Sequence, residues 1–109
     1  MVTALHRQYE RSVKMIQAKK KQALASFGKL ACEACGFDFQ QRYGEHGAGF
    51  IECHHTRPVH TLKPGEKTKA SDLRLLCSNC HRMVHAKRPW LSLDALIAIL
   101  SRLNVFEAS

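Results

Sequence analysis

The sequence lacks any long hydrophobic run. No stretch reaches the roughly 20 apolar residues of a transmembrane helix, and the opening MVTALHRQYERSV has no apolar signal-peptide core. Internal repeats and low-complexity tracts are also missing. The 109 residues therefore favour one small domain in a cytoplasmic, soluble protein. A core of this size is marginal, so a metal or another staple is expected to support it.

Acidic residues are scarce. The chain has 9 Asp and Glu against 17 Lys and Arg, which gives a formal net charge of +8. Residues 1–29 carry one acid, Glu10, together with a group of basic side chains: Arg7, Arg11, Lys14, Lys19, Lys20, Lys21 and Lys29. Such an excess indicates a polyanionic partner, nucleic acid above all. A solvated helix face that only aids solubility is the competing interpretation, and the composition leaves both open.

Apolar spacing predicts the main elements. Apolar side chains step by three or four along residues 2–27, which predicts a helix ending at Gly28. The remaining expectations are a loop over 41–49, a strand over 49–55 bent or ended by Pro58, a polar loop over 61–71, a helix over 79–86 capped by Ser78, and a final helix starting at Ser92.

Four of the five cysteines form two matched pairs. Cys32 and Cys35 have the same Cys-x-x-Cys spacing as Cys77 and Cys80. Thiols stay reduced in the cytoplasm, so paired spacing favours a metal over disulfides, and four thiolates suit a tetrahedral Zn²⁺. Four buried free thiols are the less favoured alternative. The fifth cysteine, Cys53, is expected to pack in the core.

Histidines next to the second pair need a different function, because a structural zinc takes no fifth ligand. His81 and His85 are four apart, which places both imidazoles on one face of a short helix. A third metal ligand is expected from the neighbouring His54 and His55. Adjacent strand residues point to opposite faces, so one is a candidate ligand and the other a proton acceptor or a packing residue. Glu52 is a candidate to pair with a nearby basic group or to support a ligand.

The stretches CEAC, IECHHTRPV and DLRLLCSNCHRMVH together resemble the HNH endonuclease family, in particular its zinc-knuckle, McrA-like group. The resemblance covers Cys32 to His85. It implies an α+β fold: a small ββα-metal (His-Me finger) core stapled by a four-cysteine zinc site and flanked by N-terminal and C-terminal helices. The expected division is a basic helix over 1–28, the nuclease core over 29–90 and a packing helix over 91–109.

Roles for individual residues follow from the resemblance. It implies that His54, His81 and His85 hold a catalytic divalent metal and that His55 is the general base. Asp72 stands where the family has an asparagine that holds the loop orienting the base. As an anion, Asp72 is able to accept hydrogen bonds but not to donate an amide N–H. It is expected either to hold that loop or to bind the ring N–H of the base.

The implied activity is metal-dependent hydrolysis of DNA phosphodiester bonds, nicking one strand per monomer. Zn²⁺ is expected at the cysteines. Mn²⁺ or another transition metal is expected at the three imidazoles, with Mg²⁺ as an alternative. DNA is expected to be bound mainly through its phosphates. Two rival hypotheses remain, a non-catalytic zinc-stabilised DNA-binding module and a structural zinc domain, and the sequence leaves monomer and dimer open.

Overall fold

A computed structural model describes residues 4–57 and 69–103 of the protein. Its helices and strands are α1 (Ala4–Phe27), α2 (Phe39–Tyr43), β1 (Glu52–His55), β2 (Leu73–Leu76), α3 (Ser78–His85) and α4 (Leu93–Leu103), with single 3₁₀ turns at Gly44–Gly47 and Ala70–Asp72. The two strands and α3 form the small ββα core, so the expected α+β class is confirmed. Pro58 and most of the predicted polar loop over 61–71 lie outside the described residues.

The two strands pair antiparallel, and their alternating side chains serve two different cores. Glu52 pairs with Leu76 and His55 with Leu73 at the two ends of the ladder. One face carries Leu76 into a cluster that contains Cys77, Cys80, Val84 and Leu96. The other face carries Leu75 into a cluster with Leu30 and Ile51, against which Ala23 of α1 packs. The two-stranded ribbon formed by β1 and β2 therefore lies between α3 and α1. Leu73–Leu76 form β2, a strand that was not among the elements predicted from the sequence.

Helix α1 ends where the sequence predicts, and the last two large residues of its apolar stripe are exposed. Gly28 has φ of +73°, and its N–H donates to the Leu24 carbonyl at 2.9 Å. Leu24 and Phe27 are 48% and 76% exposed, while the small Ala23 makes the contact with the second core cluster. Hydrophobic spacing alone does not show which side of a long helix has a neighbour.

The glycine-rich stretch over 41–49 is helical in part, which corrects the expected loop. Asp38 caps α2, because its Oδ1 accepts from the N–H groups of Gln40 and Gln41 at 2.9 and 3.3 Å. Gly47 is buried against the backbone of Phe39, where any side chain would collide with the Phe39 carbonyl. Glycine is required at position 47 because the Phe39 backbone lies so close to it. A glycine-rich stretch is therefore compatible with a neighbouring helix.

The last two helices begin at polar caps. Helix α3 starts one residue earlier than predicted, since the Cys77 sulfur accepts from the Cys80 N–H at 3.4 Å and leaves the Ser78 hydroxyl for another partner. Ser92 caps α4 as expected, with its Oγ accepting from the Ala95 N–H at 3.1 Å. Leu96 of α4 is buried in the first core cluster. No helix among the described residues has both the length and the apolarity needed to cross a bilayer.

Candidate active site

The two cysteine pairs meet in one group beside β2. The sulfur atoms of Cys32, Cys35, Cys77 and Cys80 all lie within 4.8 Å of one another, and those of Cys35 and Cys77 are 3.7 Å apart. Backbone N–H groups of Ala34 and Cys35 point at the Cys32 sulfur at 3.4 and 3.5 Å. Each pair therefore forms a knuckle that presents two sulfurs to a common centre.

The spacing and the charges of this group fit zinc. Tetrahedral zinc with bonds of about 2.3 Å places its sulfurs ~3.8 Å apart, close to the separation of Cys35 and Cys77. Burial and the sulfurs of Cys32 and Cys77 raise the pKa of Cys35 to about 11. Burial, again with neighbouring sulfurs, also raises the pKa of Cys80. Four thiolates are thus unfavourable together without a cation, and a zinc ion supplies the compensating charge.

The first knuckle is also fastened to the outer edge of β2. The Glu33 N–H donates to the Leu75 carbonyl at 2.8 Å, and the Leu75 N–H donates to Glu33 Oε2 at 2.6 Å. These bonds satisfy backbone groups on a strand edge that would otherwise be open. A zinc ion at these cysteines would therefore stabilise the same junction as this strand pairing.

A second group consists only of imidazoles. His54 comes from β1, and His81 and His85 come from α3; one ring nitrogen of each lies within 4.8 Å of the others. His85 Nε2 is 3.2 Å from His54 Nδ1. Metal–nitrogen bonds of about 2.1 Å place neighbouring donors ~3.0–3.4 Å apart, so the trio fits one divalent ion. Among the described residues, thiols and imidazoles form separate groups, with no mixing of sulfur and nitrogen donors.

Glu52 fixes the orientation of His81. The His81 Nδ1–H donates to Glu52 Oε1 at 2.8 Å, and the Ser78 hydroxyl donates to Oε2 at 2.7 Å. These two hydrogen bonds, that from His81 first, lower the pKa of Glu52, so it is ionised at neutral pH. Since Nδ1 is used, Nε2 is the His81 nitrogen available to a metal. A carboxylate behind an imidazole is a common support for a metal ligand.

Trp90 packs against the same imidazoles. Its ring centroid lies 4.2 Å from that of His85 and 5.6 Å from that of His54. His54 is only 4% exposed, and burial followed by the charges of His85 and His81 lowers its pKa to about 4. His54 is therefore neutral at physiological pH, which is the form that binds metal. The sequence analysis did not predict this contact, for which the position of Trp90 five residues after His85 is the one available signal.

His55 lies outside the imidazole group. It follows His54 in β1, so strand alternation directs it to the other face, and it is only half-buried. The next residue, Thr56, donates its N–H and its hydroxyl to the Asp72 carbonyl at 2.8 and 3.0 Å. The Asp72 carboxylate accepts from the Lys69 N–H at 2.9 Å. Within residues 4–57 and 69–103, no hydrogen bond joins Asp72 to His55; Asp72 holds the turn before β2.

A comparison with protein families gives a match that spans both the cysteine group and the imidazole group. The model of the family described as HNH endonuclease matches residues 32–87, slightly more than half of the chain, starting at the first zinc-knuckle cysteine. The chain belongs to the HNH endonuclease family. All seven candidate metal ligands of this HNH domain lie inside the matched region. Searches of curated proteins and of solved structures gave no match.

Family membership associates this HNH protein with nuclease activity, a DNA substrate and a divalent metal. The four-cysteine group adds a place for a structural zinc. The family match assigns no role to any individual residue, so those roles depend on the geometry of the two groups.

Proposed function

We propose that this HNH protein is a metal-dependent DNA endonuclease that hydrolyses phosphodiester bonds. His54, His81 and His85 hold the catalytic divalent metal, and His55 is the general base. The observation that carries the proposal is the imidazole trio, separate from the cysteine group and supported by the ionised Glu52. A zinc-binding scaffold alone has no need for three convergent imidazoles and a carboxylate behind one of them.

The residues divide the reaction between them. A ring nitrogen of His55 accepts a proton from water, and the hydroxide attacks phosphorus while the bond to the 3′ oxygen breaks. The leaving 3′ oxygen takes up a proton from solvent. The products carry a 5′ phosphate and a 3′ hydroxyl. When bound, the divalent cation supplies Lewis-acid stabilisation of the charge on a phosphate oxygen and on the leaving oxygen. Asp72 is a positioning residue, since its carbonyl fixes Thr56 next to the base.

Three nitrogen ligands favour a transition metal. Imidazole binds Mn²⁺ and the later divalent metals more strongly than Mg²⁺, which prefers oxygen ligands. Mn²⁺ or a similar ion is therefore proposed as the better activator, and Mg²⁺ as the weaker one. Zn²⁺ is assigned to the four cysteines. A full rate with Mg²⁺ alone, in protein stripped of exchangeable metal, would contradict this assignment.

Basic side chains bind the DNA phosphates in the proposed complex. The charge of +8 and the lysines of α1 provide a sequence-independent, salt-dependent attraction. One metal site cuts one strand, so a monomer is proposed to nick duplex DNA. The proposed division is a basic helix over 1–28, a core over 29–90 and a packing helix over 91–109, in a cytoplasmic protein.

Nicking of supercoiled plasmid tests the proposal. With Mn²⁺, the wild-type protein is expected to produce relaxed circles, and His55→Ala is expected to lower the rate about 10²–10⁴-fold. His46→Ala is the matched control, because His46 is an exposed histidine in the 3₁₀ turn Gly44–Gly47. Equal rates for His55→Ala and wild type would show that His55 is not the general base. The absence of any metal-dependent cutting would contradict the nuclease proposal itself.

A non-catalytic DNA-binding zinc module is the second candidate. The concentration of basic residues in 1–29, with a single acid among them, is the observation that favours it. Such a module binds DNA with a steep salt dependence and never cuts it. Binding without cutting under every divalent metal tested would support it over the nuclease.

A further inference from the structure

A cleft of about 450 Å³ lies between α1 and the outer edge of β2, and no histidine of the imidazole trio lines it. Lys19 and Phe27 line it from α1, Lys29 and Glu33 line it from the segment containing the first cysteine pair, and Arg74 and Leu75 line it from β2. We call this the basic cleft. The residues that line the basic cleft have no role in the proposed chemistry at His55, so the composition of the cleft needs a separate explanation.

The charge of the basic cleft is positive. Lys19, Lys29 and Arg74 oppose one acidic residue of the lining, Glu33. The Glu33 carboxylate is already occupied, since Oε2 accepts the Leu75 N–H and Oε1 lies 3.1 Å from a guanidinium nitrogen of Arg74. The Arg74 side chain is still 45% exposed and has further N–H donors for an anion. The two lysines have no such acidic partner among the described residues of the lining.

An exposed aromatic ring stands beside these cations. Phe27, at 76% exposure, is the most exposed large hydrophobic residue described, and it lies at the end of α1 where Gly28 turns the chain. Ala23 and Leu75 add apolar surface to the same cleft. Cations next to an exposed ring and an apolar floor match a nucleotide, whose phosphates pair with lysine and arginine while its base stacks on the ring.

Duplex DNA does not present such a base. Its base faces are stacked on one another, whereas an unpaired nucleotide exposes its base to an aromatic side chain. The basic cleft lies close to the proposed active site, because Arg74 is the cross-strand partner of His54. We propose that the basic cleft binds an unpaired nucleotide of single-stranded DNA, so that the preferred substrates contain unpaired segments. This substrate preference rests on the proposed nuclease function; binding in the cleft does not.

Fluorescence anisotropy with a labelled single-stranded oligonucleotide, and with a duplex of the same sequence, tests the proposal. Full-length protein carrying zinc but no added divalent metal keeps the DNA intact. Phe27→Ala is expected to weaken single-strand binding about fivefold or more, with less than a twofold change for the duplex. Leu24→Ala, which removes another exposed apolar side chain of α1 outside the cleft lining, is expected to change neither. Phe27→Tyr keeps the ring and is expected to restore binding.

Charge reversals of two lysines give a second matched pair of variants. Lys19→Glu is expected to weaken single-strand binding more than Lys21→Glu, because Lys21 is exposed on the same helix but does not line the cleft. Equal losses for Lys19→Glu and Lys21→Glu, or for Phe27→Ala and Leu24→Ala, would overturn the cleft as a nucleotide site and leave only a general basic surface. Plasmid nicking is measured separately from oligonucleotide binding. Failure of the cleft proposal is therefore distinguishable from failure of the nuclease proposal.

Discussion

His85 Nε2 lies 3.2 Å from His54 Nδ1, although the two residues are 31 positions apart in the chain. The fully buried Leu76 and Val84 hold β2 and α3 together in the first core cluster and so align the helix with the ribbon. Two imidazole nitrogens at this distance have the separation of two donors to one ion. The proposed metal site is therefore a product of core packing.

Glu52 offers a test of how that site is supported. Glu52→Gln removes the anion that accepts the His81 Nδ1–H, so divalent metal affinity is expected to fall about 10–100-fold while zinc is retained. Isothermal titration with Mn²⁺ measures the change. Glu45→Gln is the matched control, since Glu45 is exposed and its carboxylate contacts Gln40 instead. An unchanged Mn²⁺ affinity in Glu52→Gln would mean that His81 needs no carboxylate.

Asp72 is expected to act through the turn and not through its charge. Asp72→Ala removes the carboxylate that accepts the Lys69 N–H and is expected to lower kcat, because that bond shapes the turn from which the Asp72 backbone carbonyl holds Thr56 beside His55. Asp72→Asn keeps an oxygen acceptor and is expected to retain most of the rate. Nicking kinetics with the variants compared on kcat and KM separate these cases. If Asp72→Asn is as slow as Asp72→Ala, the negative charge itself is required.

Trp90 is expected to report metal binding directly. It is the single tryptophan, and its ring contacts His85 at 4.2 Å between centroids. Paramagnetic Mn²⁺ or Co²⁺ held by the trio lies next to this ring, so titration is expected to quench its fluorescence with saturation. His85→Ala is expected to abolish the saturable part. Quenching that persists unchanged in His85→Ala would place the metal elsewhere.

The cysteines provide a test of the scaffold. Cys35→Ser is expected to reduce zinc retention and to lower the thermal midpoint clearly, since one of four ligands is lost. Cys53→Ser is the control: Cys53 is half-buried against the second core cluster and belongs to neither ligand group, so it is expected to keep zinc and lose only about 1 kcal/mol. Zinc analysis and thermal melts measure both. Loss of zinc in Cys53→Ser instead would mean that the quartet is misassigned.

The sequence predicted the features that depend on local spacing. The matched cysteine pairs, the helical His81 and His85, the capped start of α4 at Ser92 and the end of α1 at Gly28 all follow from residue type and position. The α+β class and the HNH family followed from the combined motif. The local features rest on spacing or conformations within a few residues, which a single sequence displays.

Features that depend on distant neighbours were missed or misread. The exposure of Leu24 and Phe27 depends on which side of α1 meets the ribbon, and the start of α2 depends on the Asp38 cap in a glycine-rich stretch. The contact of Trp90 with the imidazoles depends on the path of the chain after α3. Asp72 remains a predicted functional residue whose carboxylate is seen bonded to Lys69.

The partition of the two metals is tested most directly by metal analysis of purified wild-type protein, His54→Ala and Cys35→Ser after brief treatment with a mild chelator and reloading with Mn²⁺. The wild type is expected to retain about one Zn²⁺ per chain and to take up about one exchangeable Mn²⁺. His54→Ala is expected to keep the Zn²⁺ and lose the Mn²⁺, whereas Cys35→Ser loses Zn²⁺. A single ion per chain, lost equally in both variants, would contradict the separation of a structural zinc from a working metal.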